Sequence, residues 1–166
     1  MRRLIMTILA SAVMCFTAEA QSNLKKVYDE SIDPMTQIDN AISKADRDDK
    51  FVICQVGGNW CRWCLMFADF ISKDSEITEL IDKNFEYIHV NYNPRERNDE
   101  SKMKKAEAML ARLGNPGRFG YPVFVVLDGD GKVIHIQDSS LLEEGNGYNK
   151  SKVMRFFSNW TPEAVR

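Results

Sequence analysis

The stretch of sequence that decides the fold is "FVICQVGGNWCRWC", which runs from Phe51 to Cys64. Its first six residues are mostly apolar and include three β-branched side chains, a composition typical of a buried central strand. The sequence Gly57-Gly58-Asn59 ends this strand, and we predict a helix from about Cys61 to Ser72. Cys61 and Cys64 are therefore predicted to lie where a buried strand ends and a helix begins.

Patterns outside this stretch predict the other elements of the domain. A helix starts at Asp33-Pro34, because proline is favoured in a first helical turn, and a strand starts at Phe85. The sequence from Asp128 to Gly131 predicts the turn of a hairpin between two strands. Three further helices are predicted from apolar residues at helical spacing: Ile77, Leu80 and Ile81 after a cap at Asp74 or Ser75; Met103, Ala106, Leu110 and Leu113; and Val153, Phe156, Phe157 and Trp160 in a helix from about Lys150.

The order of these elements predicts an α/β fold. The strand–helix–strand unit around Cys61 implies a parallel strand pair joined by a crossover, and the hairpin adds an antiparallel edge. We therefore expect a small mixed central sheet with helices on both faces.

The N-terminal residues have the features of a signal peptide. Two arginines precede an apolar run over residues 4–16, and Ala18-Glu19-Ala20 provides the small-x-small pattern of a signal-peptidase site. We expect residues 1–20 to be a signal peptide and residues 21–166 to be an exported domain, either periplasmic or secreted.

Two alternatives to a cleaved signal are weaker. As a helix the apolar run would rise only about 20 Å, whereas a membrane anchor must cross a hydrocarbon core of roughly 30 Å. A lipid-modified Cys15 is disfavoured by the bulky Met14 that precedes it. We expect no stable insertion in a membrane after signal cleavage.

The charge and length of residues 21–166 describe one soluble domain. These 146 residues carry 20 basic and 23 acidic side chains, a net charge of −3. Since phosphate binding needs a basic face, this balance argues against a nucleic-acid partner. The length is sufficient for one domain with a full core.

Three interpretations of the Cys61–Cys64 pair compete. A structural zinc site usually takes four nitrogen or sulfur ligands, and beyond the pair residues 21–166 offer only Cys54, His89 and His135. A permanent structural disulfide that closes a two-residue gap would constrain little of the unfolded chain. A redox couple needs only the pair itself, so the cysteine content favours this interpretation.

The predicted position of Cys61 suits nucleophilic chemistry. Unpaired N–H groups and the positive end of the helix dipole favour a thiolate there, and Arg62 adds positive charge beside it. Cys64 is three residues on, on the same helix face and one turn deeper. An accessible, readily ionised Cys61 would attack a partner disulfide, and Cys64 would then attack the Cys61 sulfur and release the reduced partner.

Three separated motifs resemble the thioredoxin superfamily, in particular exported thioredoxin-like proteins with a Cys-x-Trp-Cys active site. The motifs are "FVICQVGGNWCRWC", "SKDSEITELIDKNFEYIHVNYN" and "GYPVFVVLDGDGKVI", and they cover most of residues 51–134. The resemblance implies a thioredoxin-like fold and thiol–disulfide exchange that needs no metal or organic cofactor.

The resemblance also implies roles for residues around the first motif. Cys61 would be the attacking thiol and Cys64 the resolving thiol. Trp60 would be the flat residue beside the mouth of the active site. Arg62 and Trp63 stand where typical thioredoxins have Gly-Pro, and these two positions influence the redox potential.

Two more implied roles and one departure lie outside the Cys-x-x-Cys sequence. Pro122 would be a cis-proline that faces the two sulfurs, with Tyr121 before it offering backbone hydrogen bonds to a bound peptide. Gln55 occupies the position where thioredoxins often bury an acid that helps to move the proton of the resolving thiol. A glutamine cannot titrate, so water or another group does this work, or resolution is slower.

We predict that the protein is an exported thiol–disulfide oxidoreductase that acts on protein thiols and disulfides and is recharged by a separate redox partner. Reduction or isomerisation is favoured over oxidation. One alternative is a non-catalytic thioredoxin-like module that delivers a metal such as copper or holds a client protein. Another is a related fold that retains an inert disulfide.

Overall fold

The computed structural model describes residues 24–96 and 98–166, so the predicted signal peptide lies outside the described residues. No helix within those two ranges is both long and apolar enough to span a membrane. The elements in chain order are helix α1 (Pro34–Arg47), strand β1 (Phe51–Gly57), α2 (Arg62–Ser72), α3 (Ser75–Asn84), β2 (Phe85–Asn91), α4 (Glu100–Arg112), β3 (Val123–Leu127), β4 (Val133–Asp138), the two-residue strands β5 (Glu143–Glu144) and β6 (Gly147–Tyr148), α5 (Lys150–Asn159) and α6 (Pro162–Val165).

Strand β1 lies inside a four-stranded sheet of order β2-β1-β3-β4. Every residue of β1 is buried, as its apolar sequence predicts. It runs parallel to β2, with Cys54 opposite Ile88, and antiparallel to β3, with Cys54 opposite Val125. Strands β3 and β4 form the antiparallel hairpin. The predicted mixed sheet is therefore confirmed.

Helices cover both faces of the sheet. Successive side chains of a strand point to opposite faces, so neighbouring residues of β3 pack in different cores. On one face Phe124 packs against α2 and α5, and its ring centroid lies 4.4 Å from that of Phe67. On the other face Val125 packs in a second core with Ile38 of α1 and Met109 of α4. The predicted placement of helices on both faces is confirmed.

The predicted starts of two helices are confirmed, and the end of one is corrected. Helix α2 begins at Arg62, with Cys61 as its N-cap residue. Helix α3 is capped by Asp74, whose carboxylate accepts hydrogen bonds from the N–H groups of Glu76 and Ile77, and it continues past the predicted end at Ile81 to Asn84.

The predicted apolar face of α4 is only partly buried. Met103 is 38% exposed, whereas Met109, which the pattern did not include, is fully buried together with Leu113. Only the C-terminal half of α4 lies over the core of the sheet. Helical spacing identifies which side chains share a face of the helix, but it does not show how much of that face packs against the rest of the protein.

Candidate active site

Cys61 and Cys64 lie at the junction between β1 and α2 and form a disulfide with their Cα atoms 5.2 Å apart. Cys61 has extended backbone angles, φ −99° and ψ 104°, as expected of an N-cap residue. Its Sγ accepts a hydrogen bond from the N–H of Cys64 at 3.2 Å. The strand therefore ends by placing the Cys61 sulfur over the free N–H groups of the helix.

The two sulfurs differ in how far solvent reaches them. Cys64 is completely buried, and Cys61 is 7% exposed. The sequence predicted an accessible Cys61, and the structure shows a smaller opening than expected. Any partner sulfur that reacts with the disulfide in this conformation has to approach Cys61, because Cys64 presents no surface.

Aromatic side chains form the rim of the site. The indole N–H of Trp60 donates to the backbone oxygen of Tyr92 at 2.7 Å, and the Trp60 ring meets the edge of the Tyr121 ring. On the other side Trp63 meets the ring of Tyr148, whose hydroxyl donates to the Trp63 backbone oxygen at 3.1 Å. These contacts hold both tryptophans beside the disulfide.

The loop before β3 brings Tyr121 and Pro122 to the sulfurs. The Tyr121–Pro122 peptide bond is cis, as the resemblance implied. The backbone oxygen of Tyr121 lies 3.6 Å from Cys61 Sγ. Arg62, between the cysteines, is exposed.

Sequence reasoning missed the segment that covers the disulfide. Leu24, Val27 and Tyr28 pack with the two cysteines in one apolar cluster. Asn59 ties this segment down, since its Oδ1 accepts the N–H groups of Val27 and Tyr28 at 3.2 Å, and its Nδ2 donates to the Tyr28 backbone oxygen at 2.8 Å. We call residues 24–28 the N-terminal strap. No periodic pattern marks the strap, because it forms neither helix nor strand.

Gln55 is the centre of a buried hydrogen-bond network beneath the disulfide. Its Nε2 donates to the Tyr28 hydroxyl at 2.6 Å and to the backbone oxygen of Cys64 at 2.9 Å. Its Oε1 accepts from the Tyr87 hydroxyl at 2.5 Å. Every polar atom of this fully buried side chain is thus satisfied, which explains how a glutamine is tolerated there.

Burial changes the ionisation of several groups near the site. It raises the pKa of the Tyr28 and Tyr87 hydroxyls, so both stay protonated at neutral pH. It lowers the pKa of His89 to about 4, so that ring is neutral. Burial also raises the pKa of the Cys54 thiol to about 12, and Cys54 packs on the opposite face of the sheet.

Candidate metal ligands are sparse around the pair. Within residues 24–96 and 98–166, the His, Cys, Asp and Glu side chains form no group of three that could hold a metal ion.

Arg118, a loop residue near Pro122 in sequence, donates to the backbone oxygens of Gly114 and Asn115. Its guanidinium is therefore held by its own loop.

Comparisons with known proteins agree with this geometry. The family model described as "Thioredox_DsbH: Protein of unknown function, DUF255" matches residues 15–156. The crystal structure of a disulphide isomerase from Xylella fastidiosa Temecula1 is similar at 27% identity and a TM-score of 0.67, over 82% of this chain and 97% of that chain. The structure of a DsbH oxidoreductase is 21% identical with a TM-score of 0.51, over 71% of this chain and 77% of that chain. No curated protein matches the sequence. The fold is thioredoxin-like, as the resemblance implied.

Proposed function

Because the chain belongs to the thioredoxin-like DsbH family, we propose that it is an exported thiol–disulfide oxidoreductase that exchanges disulfides with partner proteins. The observation that carries the proposal is the Cys61–Cys64 disulfide at the start of α2, with solvent access to Cys61 alone. In this arrangement the Cys61 sulfur can contact a partner protein, and the Cys64 sulfur is buried beside it.

In the reduced protein Cys61 is the nucleophile. In the disulfide form the N–H of Cys64 lies 3.2 Å from the Cys61 sulfur. The same N–H and the positive end of the α2 dipole favour a thiolate at Cys61 after reduction. The thiolate attacks a partner disulfide and forms a mixed disulfide. Cys64 then attacks Cys61 Sγ, restores the internal disulfide and releases the partner thiol.

The rim provides the surface for the partner peptide. Trp60, Trp63 and Tyr121 present aromatic surface around the opening, and Arg62 adds an exposed charge. The Tyr121–Pro122 segment has its backbone beside Cys61, so a peptide joined to Cys61 would lie against it. We assign these five residues to binding rather than to bond making.

Reduction or isomerisation is the direction we propose. The similar Xylella protein is named a disulphide isomerase, which supports this direction at the level of 27% identity. The reduction potential of the Cys61–Cys64 pair is the measurement that decides it, because a strongly oxidising pair would donate its disulfide instead.

Export follows from the predicted signal peptide. N-terminal sequencing of the protein from the periplasm or medium of a bacterial expression host should show a chain that starts at Gln21. A protein found only in the cytoplasm with an intact N-terminus would contradict export and leave the redox chemistry untouched.

The central experiment is insulin reduction with dithiothreitol as the electron source. The wild-type protein should accelerate the reaction, and Cys61→Ser should fall to the uncatalysed rate, because it lacks the nucleophile. Cys64→Ser should accumulate mixed disulfides, visible on a non-reducing gel. Cys54→Ala is the matched control, since this thiol packs on the opposite face of the sheet, and it should remain active. Activity retained in Cys61→Ser would overturn the proposal.

A further inference from the structure

Tyr28 of the strap and Cys64 of α2 pack against the same glycine, Gly57. A Cβ atom built on Gly57 would lie 2.5 Å from Cys64 Sγ and 2.9 Å from Tyr28 Oη, so no side chain fits there. The sulfur and the phenol oxygen therefore lie close together on the same side of Gly57. Tyr28 is only 4% exposed, so its side chain is shielded from bulk water.

The hydrogen bonds of Gln55 fix the direction in which Tyr28 bonds. The backbone oxygen of Cys64 can only accept, so the Gln55 atom 2.9 Å from it has to be the amide nitrogen. The same nitrogen lies 2.6 Å from Tyr28 Oη, and the phenol oxygen therefore accepts that bond. Tyr87 donates to the other end of the amide. The proton of Tyr28 is thus not used on Gln55 and can point at the sulfur.

We propose that Tyr28 donates a hydrogen bond to the Cys64 sulfur as this thiol ionises to resolve the mixed disulfide, a role that rests on the function proposed above. Gln55 and Asn59 are positioning residues, because one orients the phenol and the other holds the strap. The pair Tyr28–Gln55 then occupies the place of the buried acid that the thioredoxin resemblance implies.

The resolving step balances without any further reagent. Cys64 loses its proton, and its thiolate attacks Cys61 Sγ. The Cys61–Cys64 bond forms while the bond from Cys61 to the partner sulfur breaks, so the protein pair is oxidised and the partner is reduced by two electrons. The partner sulfur leaves as a thiolate and takes up one proton, which balances the proton that Cys64 lost. Tyr28 keeps its own proton throughout, as expected of a phenol whose pKa burial raises.

The other ionisable groups around Tyr28 and Cys64 do not offer this hydrogen bond. The Tyr148 hydroxyl is directed at the backbone oxygen of Trp63, and the Tyr87 hydroxyl at Gln55. The His89 ring meets Tyr28 edge-on at 5.3 Å and is neutral. Among the described residues close in sequence or contact, Cys61 is the reaction partner, Arg62 is exposed, and Glu30 accepts a hydrogen bond from Asn59.

Stopped-flow reaction of the reduced protein with the aromatic disulfide DTNB separates the two steps. Attack by Cys61 releases one coloured thiolate, and resolution by Cys64 releases a second. In Tyr28→Phe we expect the first phase to be unchanged. The second phase should be about ten-fold slower at pH 7, and its pH midpoint should rise by about one unit, since the Cys64 thiolate loses a charge-assisted hydrogen bond.

Tyr87→Phe is the matched control, because it removes the other tyrosine hydroxyl that is hydrogen-bonded to the Gln55 amide. It should keep the wild-type midpoint of the second phase. An unchanged midpoint in Tyr28→Phe, or an equal shift in Tyr87→Phe, would overturn the assignment to Tyr28. Cys64→Ser should lack the second phase altogether, which identifies that phase as resolution.

A second variant keeps the test decisive if Tyr28→Phe does not fold. Asn59→Ala releases the strap and should slow the second phase in the same direction, whereas a wild-type midpoint in a folded Asn59→Ala protein would count against the proposal. Insulin reduction by the wild type is measured in parallel. Activity there with no effect of Tyr28→Phe defeats only this inference, and no activity in the wild type defeats the proposed function itself.

Discussion

Cys61 caps helix α2 and also provides the proposed nucleophilic sulfur, and both roles follow from its position as the N-cap residue. The first N–H groups of a helix have no partner within the helix, and a cap supplies one. Here the cap atom is sulfur, which accepts the N–H of Cys64 at 3.2 Å. The group that completes the helix is therefore also the one that we propose as nucleophile.

His89 shows how burial alone gives a single residue a pH dependence. Its ring lies between Tyr28 and Tyr87 at about 5 Å from each, and its Nε2 has no hydrogen-bond partner among the described atoms. Burial lowers the pKa of His89 from 6.5 to about 4. Since the unfolded chain binds this proton more readily, the associated stability is complete above pH 6.5, is lost as the pH falls towards 4, and stays lost below that.

His89→Phe should remove this acid sensitivity. From pH 7 to pH 4 we expect the wild-type free energy of unfolding to fall by about 3 kcal/mol more than that of the variant, because the pKa difference is about 2.5 units. Urea denaturation at both pH values measures the difference. The phenyl ring can keep the contacts with Tyr28 and Tyr87, so equal losses in the two proteins would show that His89 is not the source.

At the scale of elements, α5 is the helix that closes one core, and Asn149 connects it to the chain before it. The Asn149 side chain accepts the N–H of Lys152 at 3.0 Å and donates to Glu144 at 2.7 Å. Its backbone N–H donates to the Leu142 oxygen at 2.9 Å. The cap thus links the β5–β6 hairpin to the helix that carries Phe157.

Asn149→Ala should destabilise the protein by about 1 kcal/mol, the usual cost of losing an N-cap side chain. Ser151→Ala is a suitable control, because Ser151 is exposed in the first turn of the same helix. The two midpoints of urea unfolding are the measurement. Equal midpoints for both variants would mean that the cap contributes nothing beyond what water supplies.

Predictions of helices from spacing succeed or fail according to what lies opposite. The apolar face of α5 is buried as predicted, with Val153, Phe156 and Phe157 all in the core. Trp160, predicted to belong to that face, is the C-cap residue; it is partly buried against the same core and stacks on His135 of β4. In α4 the same kind of pattern included Met103, which is 38% exposed because the start of that helix extends past the core.

At the scale of the whole molecule, two apolar cores share one sheet. Phe157 is fully buried in one of them and has ring contacts with Phe85, Tyr87 and Phe156. The other core is centred on Met109 and Ile38. Because β1 and β3 contribute side chains to both, neither core can be lost without disturbing the other.

Phe157→Ala should therefore destabilise the whole domain, by about 3–5 kcal/mol for a large cavity in a buried core. Tryptophan fluorescence and far-UV circular dichroism should report the same urea midpoint, as for a single cooperative unit. Leu141→Ala is the control, since Leu141 is 67% exposed and its loss should cost less than about 0.5 kcal/mol. Two separated transitions would contradict the shared sheet as the source of cooperativity.

The sequence by itself determined the order of elements from α1 to β4 and the presence of α5, the mixed sheet, and the position of the cysteine pair between β1 and α2; it did not predict the short strands β5 and β6 or the helix α6. These features follow from neighbours along the chain: the apolar run of β1, the glycines after it, and the turn at Asp128 to Gly131. The cis peptide bond at Pro122 was implied by resemblance and is confirmed.

Only the tertiary structure decided how the site is enclosed. The strap reaches Gln55 across 27 residues of sequence, and Tyr87 reaches it across 32. No local pattern records such pairings, because a tyrosine in a polar segment looks the same whether its hydroxyl meets water or a buried amide. The low exposure of Cys61 and the close approach of Tyr28 and Cys64 at Gly57 come from the same long-range packing, and they determine how the two sulfurs can react.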